Sequence, residues 1–412
     1  MKLTIDQSRL VSEIDSLAEF SDAEPPAVTR VVFTPTDLKA RAWVKNRCES
    51  ARLVIRDDAI GNTFARWVGS DPQAPAVGTG SHIDAIPNAG KYDGVVGVLG
   101  GLEAIRALQA AGFQPRHSIE LLIFATEEPT RFGIGCLGSR MLSGTLSADD
   151  ARKLTDNDGA SVESVRHQAG LVGALEQVKL TEGYYKAFVE LHIEQGPLLE
   201  RDCKPLGIVE RIAAPASLRL MIEGSGGHAG GVLMPERRDA LCAAAELIIA
   251  IEHAARTSGA PDTVATVGIC DVFPGAVNSI PAKVRLSVDI RDTNLLRRDR
   301  VMQSLEESCR ATATSRQVAI HSELLNADAP AVCGAAIVAA LTQACEKHGF
   351  SFLRMTSRAY HDSLFMSRIA PVAMLFIPCR NGYSHRPDEY ASPEDIARGA
   401  LVLAETLAML AA

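Results

Sequence analysis

Acids and histidines recur at the ends of apolar runs in this chain. His82 closes AVGTGSHID, and Asp93 follows in GKYDG. Glu127 and Glu128 close IELLIFATEE, His192 sits in FVELHIEQG, and His385 lies just after PVAMLFIPC. So many imidazoles and carboxyl groups exceed the four ligands of one tetrahedral zinc. They suit a pair of divalent ions sharing a carboxylate, with one carboxylate left over as a base. That arrangement activates water, so the chain reads as a metal-dependent hydrolase.

Each motif also has a plainer reading. His82, in GSHIDAIPNAGKYDG, has an imidazole suited to a first-row metal. Asp84, two residues on in an extended chain, can orient that ring as an acceptor. Asp93 has two oxygens and can bridge two ions. Taken alone, the segment is a polar loop with a structural histidine. In ATEEPTRFG, adjacent carboxylates at the end of a buried strand repel, and one stays protonated unless a cation is present. Neighbouring side chains of an extended segment point in different directions. Glu128 is therefore assigned as a metal ligand and Glu127 as the general base. LHIEQGPLLE places His192 near Gln195, although a lone histidine in an apolar strand is usually a satisfied core residue. GYSHRPDEY puts His385 in a Gly- and Pro-bounded loop, which alone is an ordinary surface turn. These two gain weight by recurring at strand ends with the first two motifs.

A later region carries GSGGHAGG around His228, PGAVNSIP around Asn278 and DIRD around Arg291. Glycines beside His228 let backbone approach a ligand closely. Arg291 offers a planar fork for a carboxylate, but a single Arg between two aspartates is more often a structural ion pair. His117, His167, His253, His321 and His348 read as surface or core residues. The glycines after Glu128 lack the GxxxxGK[ST] pattern of a phosphate loop. No GxSxG elbow occurs, so a serine hydrolase is not expected.

The elements that must position these residues alternate at first between short β-type runs and helices. Ala76 to Ser81 predicts a strand running into His82, and Gly94 to Ala111 a helix stopped by Gly112. Ile119 to Thr126 is a continuous apolar run, the mark of a strand buried on both faces. Such alternation predicts an α/β sheet with helices on both sides, and sites form at its strand C-terminal ends. From residue 212 to 330 the texture changes. SLRLMIEG and AKVRLSVDIRD alternate, TVATVGICDV is strand-like, and Pro235 to Arg256 is an Ala-rich helix. A small antiparallel sheet with two helices is expected there, as a domain inserted between 1–211 and 331–412. Ser392 is placed to cap the last helix.

At 412 residues, two domains are the default. A net charge of -8 without any basic run argues against nucleic acid as a partner. No apolar run approaches the roughly 18 residues that span a bilayer, so no membrane partner is expected. The N-terminal MKLTIDQSRLVSEID carries early charges and no apolar leader core. Nine scattered cysteines without a CxxC pair read as reduced thiols in a cytoplasmic protein.

Together, GSHID…YDG, TEE, LHIEQGP, GGHAG, NSIP and DIRD resemble the pattern of the dinuclear amidohydrolases related to metal aminopeptidases. That family contains N-carbamoyl-L-amino-acid hydrolases, allantoate amidohydrolase and ureidoglycolate amidohydrolase. The resemblance runs from about Arg30 to the C-terminus. Two segments, EEPTRFGIGCLGSR and SRAYHDSLFMSRIAP…FIPCRNGYSHRPDEYASPED, look most like the ureidoglycolate-cleaving members. Carbamoylases typically show a small-residue SGAGHD-type segment where this chain has Ser357, Arg358, Ala359, Tyr360, His361 and Asp362, and the bulky Arg358 and Tyr360 would change the pocket.

The resemblance implies an α/β fold: a catalytic domain with a mixed, largely parallel sheet flanked by helices, plus an inserted smaller α+β domain acting as lid and homodimer contact. It implies two divalent ions per subunit, manganese favoured and zinc possible, held by His82, Asp93 as bridge, Glu128, His192 and His385. Glu127 is the implied acid/base. Gln195, His228, Asn278, Arg291, Tyr360 and His361 are the implied contacts to a small ureido substrate, with His228 also stabilising the oxyanion. His228 and Asn278 are implied to reach the site from the same or the partner subunit. The expected reaction cleaves the ureido C–N bond of ureidoglycolate, giving glyoxylate, ammonia and carbon dioxide. A carbamoyl amino acid, allantoate or a peptide is the alternative substrate. A catalytically inactive binding protein is the remote alternative, opposed by the filling of every expected position.

Overall fold

The computed structural model describes residues 1–412. It divides into two compact units. Met1–Glu210, Val332–Met355 and His361–Ala412 form the first, and Arg211–Ala331 with Thr356–Tyr360 the second.

The first unit is built on a nine-stranded mixed sheet. Its main strands are β1 (Val54–Asp57), β2 (Thr63–Trp67), β3 (Ala76–His82), β4 (Ile119–Phe124), β5 (Tyr185–Ile193), β6 (Leu206–Ile212) and β7 (Val372–Ile377). They lie in the order β6-β7-β5-β3-β4-β2-β1. The central four, β7, β5, β3 and β4, are mutually parallel; β6 and β2, on either side, are antiparallel to them, and β1 pairs antiparallel with β2. The sequence explains the parallel centre. IELLIF of β4 and VAMLFI of β7 are buried at every position, as strands covered on both faces must be.

Helix α1 (Val95–Ala110) and helix α2 (Pro393–Ala411) pack on each other and on the sheet. Gly112, at φ 73°, stops α1 and donates its N–H to the Gln109 carbonyl at 3.0 Å. The Ser392 hydroxyl accepts from the Asp395 N–H at 3.1 Å, and Glu394 and Asp395 complement the positive end of α2. The strand expected to reach Thr126 stops at Phe124, because Thr126 turns into the left-handed region at φ 58°.

Parallel strands point their carboxyl ends the same way. His82 ends β3, Glu127 and Glu128 follow β4, His192 sits next to last in β5, and His385 lies in the loop after β7. All of them therefore gather along one edge of the sheet.

The second unit is a four-stranded antiparallel sheet, ordered Val264–Phe273, Lys283–Asp292, Ala214–Glu223, Ala319–Ala327. Leu218, Leu220 and Ile222 share a core with Val284, Leu286, Val288 and Ile290, the alternate positions of the two central strands. Ala243, Leu247 and Ile251 of helix Ala240–Arg256 and Val301 and Leu305 of helix Leu295–Arg316 complete it. The first helix begins at Ala240 rather than Pro235, because Asp239 caps the amides of Leu241 and Cys242. Thr356–Tyr360 joins this unit through a bond from the Ala213 N–H to the Ser357 carbonyl (2.9 Å) and an Arg358–Asp262 ion pair (2.9 Å). Sequence texture alone does not reveal that return of the chain.

Candidate metal centre

Two triplets of donor atoms meet at the sheet edge of the first unit. His82, Asp93 and His192 form one, and Asp93, Glu128 and His385 the other. In each, the donor atoms lie within 4.8 Å of one another. Asp93 belongs to both. Its Oδ1 lies 3.1 Å from His192 Nε2 and 3.7 Å from His82 Nε2. Its Oδ2 lies 3.1 Å from His385 Nε2, which is itself 3.2 Å from Glu128 Oε1. Mixed imidazole and carboxylate donors around a shared carboxylate suit a pair of first-row divalent ions, so these residues fit such ions.

Local structure explains each placement. The Asp93 turn ends at Gly94, which has φ 66° and would put any Cβ 2.5 Å from the His82 ring. Only glycine serves there. Glu389 Oε1 accepts from the backbone N–H groups of Tyr92 (2.8 Å) and Asp93 (3.1 Å) and so pins that turn. Ser384 contacts both Asp93 Oδ2 (2.7 Å) and Glu389 Oε2 (3.0 Å). Asp84 faces the His82 ring twice: its backbone carbonyl lies 3.0 Å from His82 Nδ1 and its Oδ1 3.6 Å from the same nitrogen. Its carboxylate also accepts from the N–H groups of Glu127 (3.4 Å) and Glu128 (3.0 Å) and so aims the acid pair. The cluster also uses strained backbone. Thr126, Gln195 and His385 all have positive φ, a conformation costing about 1–3 kcal/mol for such residues.

The electrostatics match a demand for positive charge. Burial raises the Asp93 carboxyl, but His192, His385 and His82 outweigh it and hold Asp93 well below the usual carboxylate range. Burial disfavours the charged His82 ring, yet Glu127, Asp84 and Asp93 hold it well above its ordinary value. His385 is pushed up to about 11 by Asp93 and Glu128. Glu127 behaves differently. Burial, opposed by His82 and reinforced by Glu128, holds its carboxyl well above the ordinary value. Its Oε2 lies 3.7 Å from His82 Nε2, and its Oε1 is 3.4 Å from the Cys136 thiol. A buried carboxyl with raised proton affinity beside a metal-binding cluster is suited to moving protons.

The remaining expected site residues divide between the units. Gln195 donates to Asp93 Oδ2 at 2.7 Å, and the His361 ring lies tilted with its centre 4.5 Å from that of His192. In the second unit, the His228 strand pairs with the one beginning at Ser279, and the Ala229 N–H donates to the Asn278 carbonyl at 2.9 Å. The Gly230 N–H donates to His228 Nδ1 at 3.1 Å, which leaves the proton of a neutral ring on Nε2. Arg291 is paired with Asp289 at 2.7 Å, and its guanidinium lies 5.7 Å from the Tyr360 ring centre. Glu190, Ser384 and Glu389 escaped the sequence reading as supporting residues. The last two stand inside the GYSHRPDEY motif, and an acid in an otherwise apolar strand was the signal for the first.

Residues 78–409 match the family model described as Peptidase family M20/M25/M40. The chain belongs to that family. It is a hydrolase of amide C–N bonds. It is 50% identical over 415 residues to a ureidoglycolate hydrolase of Arabidopsis thaliana, covering 99% of this chain and 87% of the relative. It is 36% identical to an N-carbamoyl-L-amino-acid amidohydrolase of a Pseudomonas species, covering 98% of each. Among solved structures, AtUAH in complex with glyoxylate and with (S)-hydroxyglycine superposes with a TM-score of 0.91 in each case. Sequence identity is 49%, with 99% of this chain and 98% of that chain covered.

Proposed function

We propose that this chain hydrolyses ureidoglycolate with two divalent ions per subunit, and that the observation carrying this reading is the pair of triplets sharing Asp93 with the buried Glu127 carboxyl beside them. His82, Asp93 and His192 would hold one ion, and Asp93, Glu128 and His385 the other. When bound, such ions lower the pKa of water toward about 7 and polarise a carbonyl. Manganese is the favoured metal, given the carboxylate-rich set, and zinc the other candidate.

Glu127 takes the proton of the attacking water and delivers it to the departing ammonia. The ureido carbonyl is a poor electrophile because two nitrogens donate into it. The Nε2–H of His228 is suited to the oxyanion, where one such donor is worth about 3–4 kcal/mol. Arg291 holds the substrate carboxylate, and Gln195, Asn278, Tyr360 and His361 complete the pocket. The carbamate left behind loses carbon dioxide to give hydroxyglycine, which releases a second ammonia and leaves glyoxylate. Hydroxyglycine and glyoxylate are the compounds named in the AtUAH complexes. The second unit, near residues 212–330, serves as lid and dimer contact. His228 and Asn278 reach the site from either subunit, and the enzyme works in the cytoplasm. No helix is long and apolar enough to cross a membrane.

The test is to strip the protein, reload it with manganese or zinc, and measure ammonia and glyoxylate from ureidoglycolate, allantoate and several N-carbamoyl amino acids. Glyoxylate release from ureidoglycolate, fastest with manganese, is expected. Turnover confined to carbamoyl amino acids would overturn the substrate assignment and leave the hydrolase class standing.

A further inference from the structure

Glu190 is wholly buried, two residues before His192 and so on the same face of β5. Burying a carboxylate is costly unless donors surround it. Here Oε1 accepts from the Ser81 hydroxyl at 2.7 Å. Oε2 accepts from the Ser363 hydroxyl at 2.6 Å and the Ser363 N–H at 3.1 Å. Ser81 adjoins His82, and Ser363 is two residues past His361. One carboxylate thus ties together three histidine-bearing segments. A carboxylate oxygen of Glu190 and ring nitrogens of His192 and His361 also lie within 4.8 Å of one another.

Two of these histidines have anchors of their own. His82 Nδ1 meets the Asp84 carbonyl at 3.0 Å, and His192 Nδ1 meets the Ile193 carbonyl at 2.9 Å. What Glu190 adds falls on the His361 turn, held through Ser363. The far side of that turn is held by Ser139, whose hydroxyl donates to Asp362. Tyr360, just before His361, belongs to the stretch that packs with the second unit. The turn is therefore clamped where the chain re-enters the first unit.

We infer that Glu190 is a positioning residue that fixes His361 for substrate through Ser363, an inference resting on the reading of His361 as a substrate contact. Glu190→Ala is expected to lower kcat/KM by roughly 10–100-fold with metal content unchanged. Glu190→Gln, which keeps the shape and can still bond both hydroxyls, is expected to stay within a few-fold of wild type. Ser363→Ala should cost roughly 2- to 10-fold.

The deciding experiment is a cycle with His361→Ala, run on ureidoglycolate or on whichever amide the enzyme turns over. The E190A/H361A double variant is expected to be no slower than H361A. A full additional drop in that background would reduce Glu190 to general structural support, as would wild-type activity in E190A. Should E190A not fold, S363A with S363A/H361A runs the same cycle. Wild-type kcat/KM in H361A would remove His361 from the substrate contacts and overturn the inference with it. A defective H361A with additive losses overturns only the positioning role.

Discussion

The two triplets that share Asp93 use nearly the same chemistry on different mountings. His82 and His192 are side chains of strands bonded to neighbours on both sides, and both are almost wholly buried. His385 sits on a loop at φ 59°, with 45% of its side chain exposed. Its placement depends on Ser384 and Glu389, which reach back to Asp93 and its turn. Rigid mounting preorganises a ligand, whereas a loop must be held by its neighbours. The strand-borne triplet is thus expected to keep its ion under conditions that strip the loop-borne one.

The largest effect should come from removing what the two have in common. Asp93→Ala is expected to abolish binding of both ions together with activity. Retention of one full equivalent of metal, by elemental analysis, would show that the carboxylate is not shared. Glu127→Gln is the complementary case. It should leave both ions in place and lower kcat by roughly 10²–10⁴-fold, and near-normal turnover would take Glu127 out of the proton-transfer role.

Much of this comparison was legible in the sequence, and the reason is physical. Strand ends are marked by where apolar runs stop, so His82, the Glu127–Glu128 pair and His192 could be aligned without coordinates. The antiparallel second unit showed in its alternating SLRLMIEG and AKVRLSVDIRD runs. What stayed hidden depends on dihedral angles and on long-range contacts. Nothing in TEE announces that Thr126 turns left-handed, or that Asp84 aims the acid pair through backbone amides. Glu190 looked like one more residue of an apolar strand until Ser81 and Ser363, 109 and 173 residues away, were seen to close on it. The same holds for Thr356–Tyr360, whose partners Ala213 and Asp262 lie far back in the sequence.

A finer test separates the mountings. Ser384→Ala should weaken metal affinity by roughly 10–100-fold, as loss of a group supporting a ligand does. The loss should fall mainly on the loop-borne equivalent, whereas Glu389→Gln, which loosens the Asp93 turn shared by both triplets, should weaken both. Titration with a chelator, following metal content against activity, checks this. Equal weakening of both sites in Ser384→Ala would mean that Ser384 acts through Asp93 rather than through the His385 loop.

The smallest effect concerns protons. In the stripped protein the His385 ring is held at about 11 by Asp93 and Glu128, against an ordinary value of 6.5. Its folded value is raised, so the stabilisation from this pairing is complete below pH 6.5 and is lost as pH climbs through 11. The half-exposed ring makes the contribution small, because solvent screens it. The difference in Tm between stripped wild type and stripped His385→Ala should therefore be greatest near pH 6 and shrink steadily toward pH 11. A difference that held constant over that range would mean that His385 acts by packing alone. In the reloaded enzyme the ion competes with the same proton, so metal uptake at the loop-borne triplet should release protons and strengthen as pH rises. The strand-borne triplet has the buried His82 and His192 in that role, each also held above its ordinary value by nearby carboxylates despite burial. Both ions should thus show the pH dependence, and the loop-borne one should be the first lost on acidification.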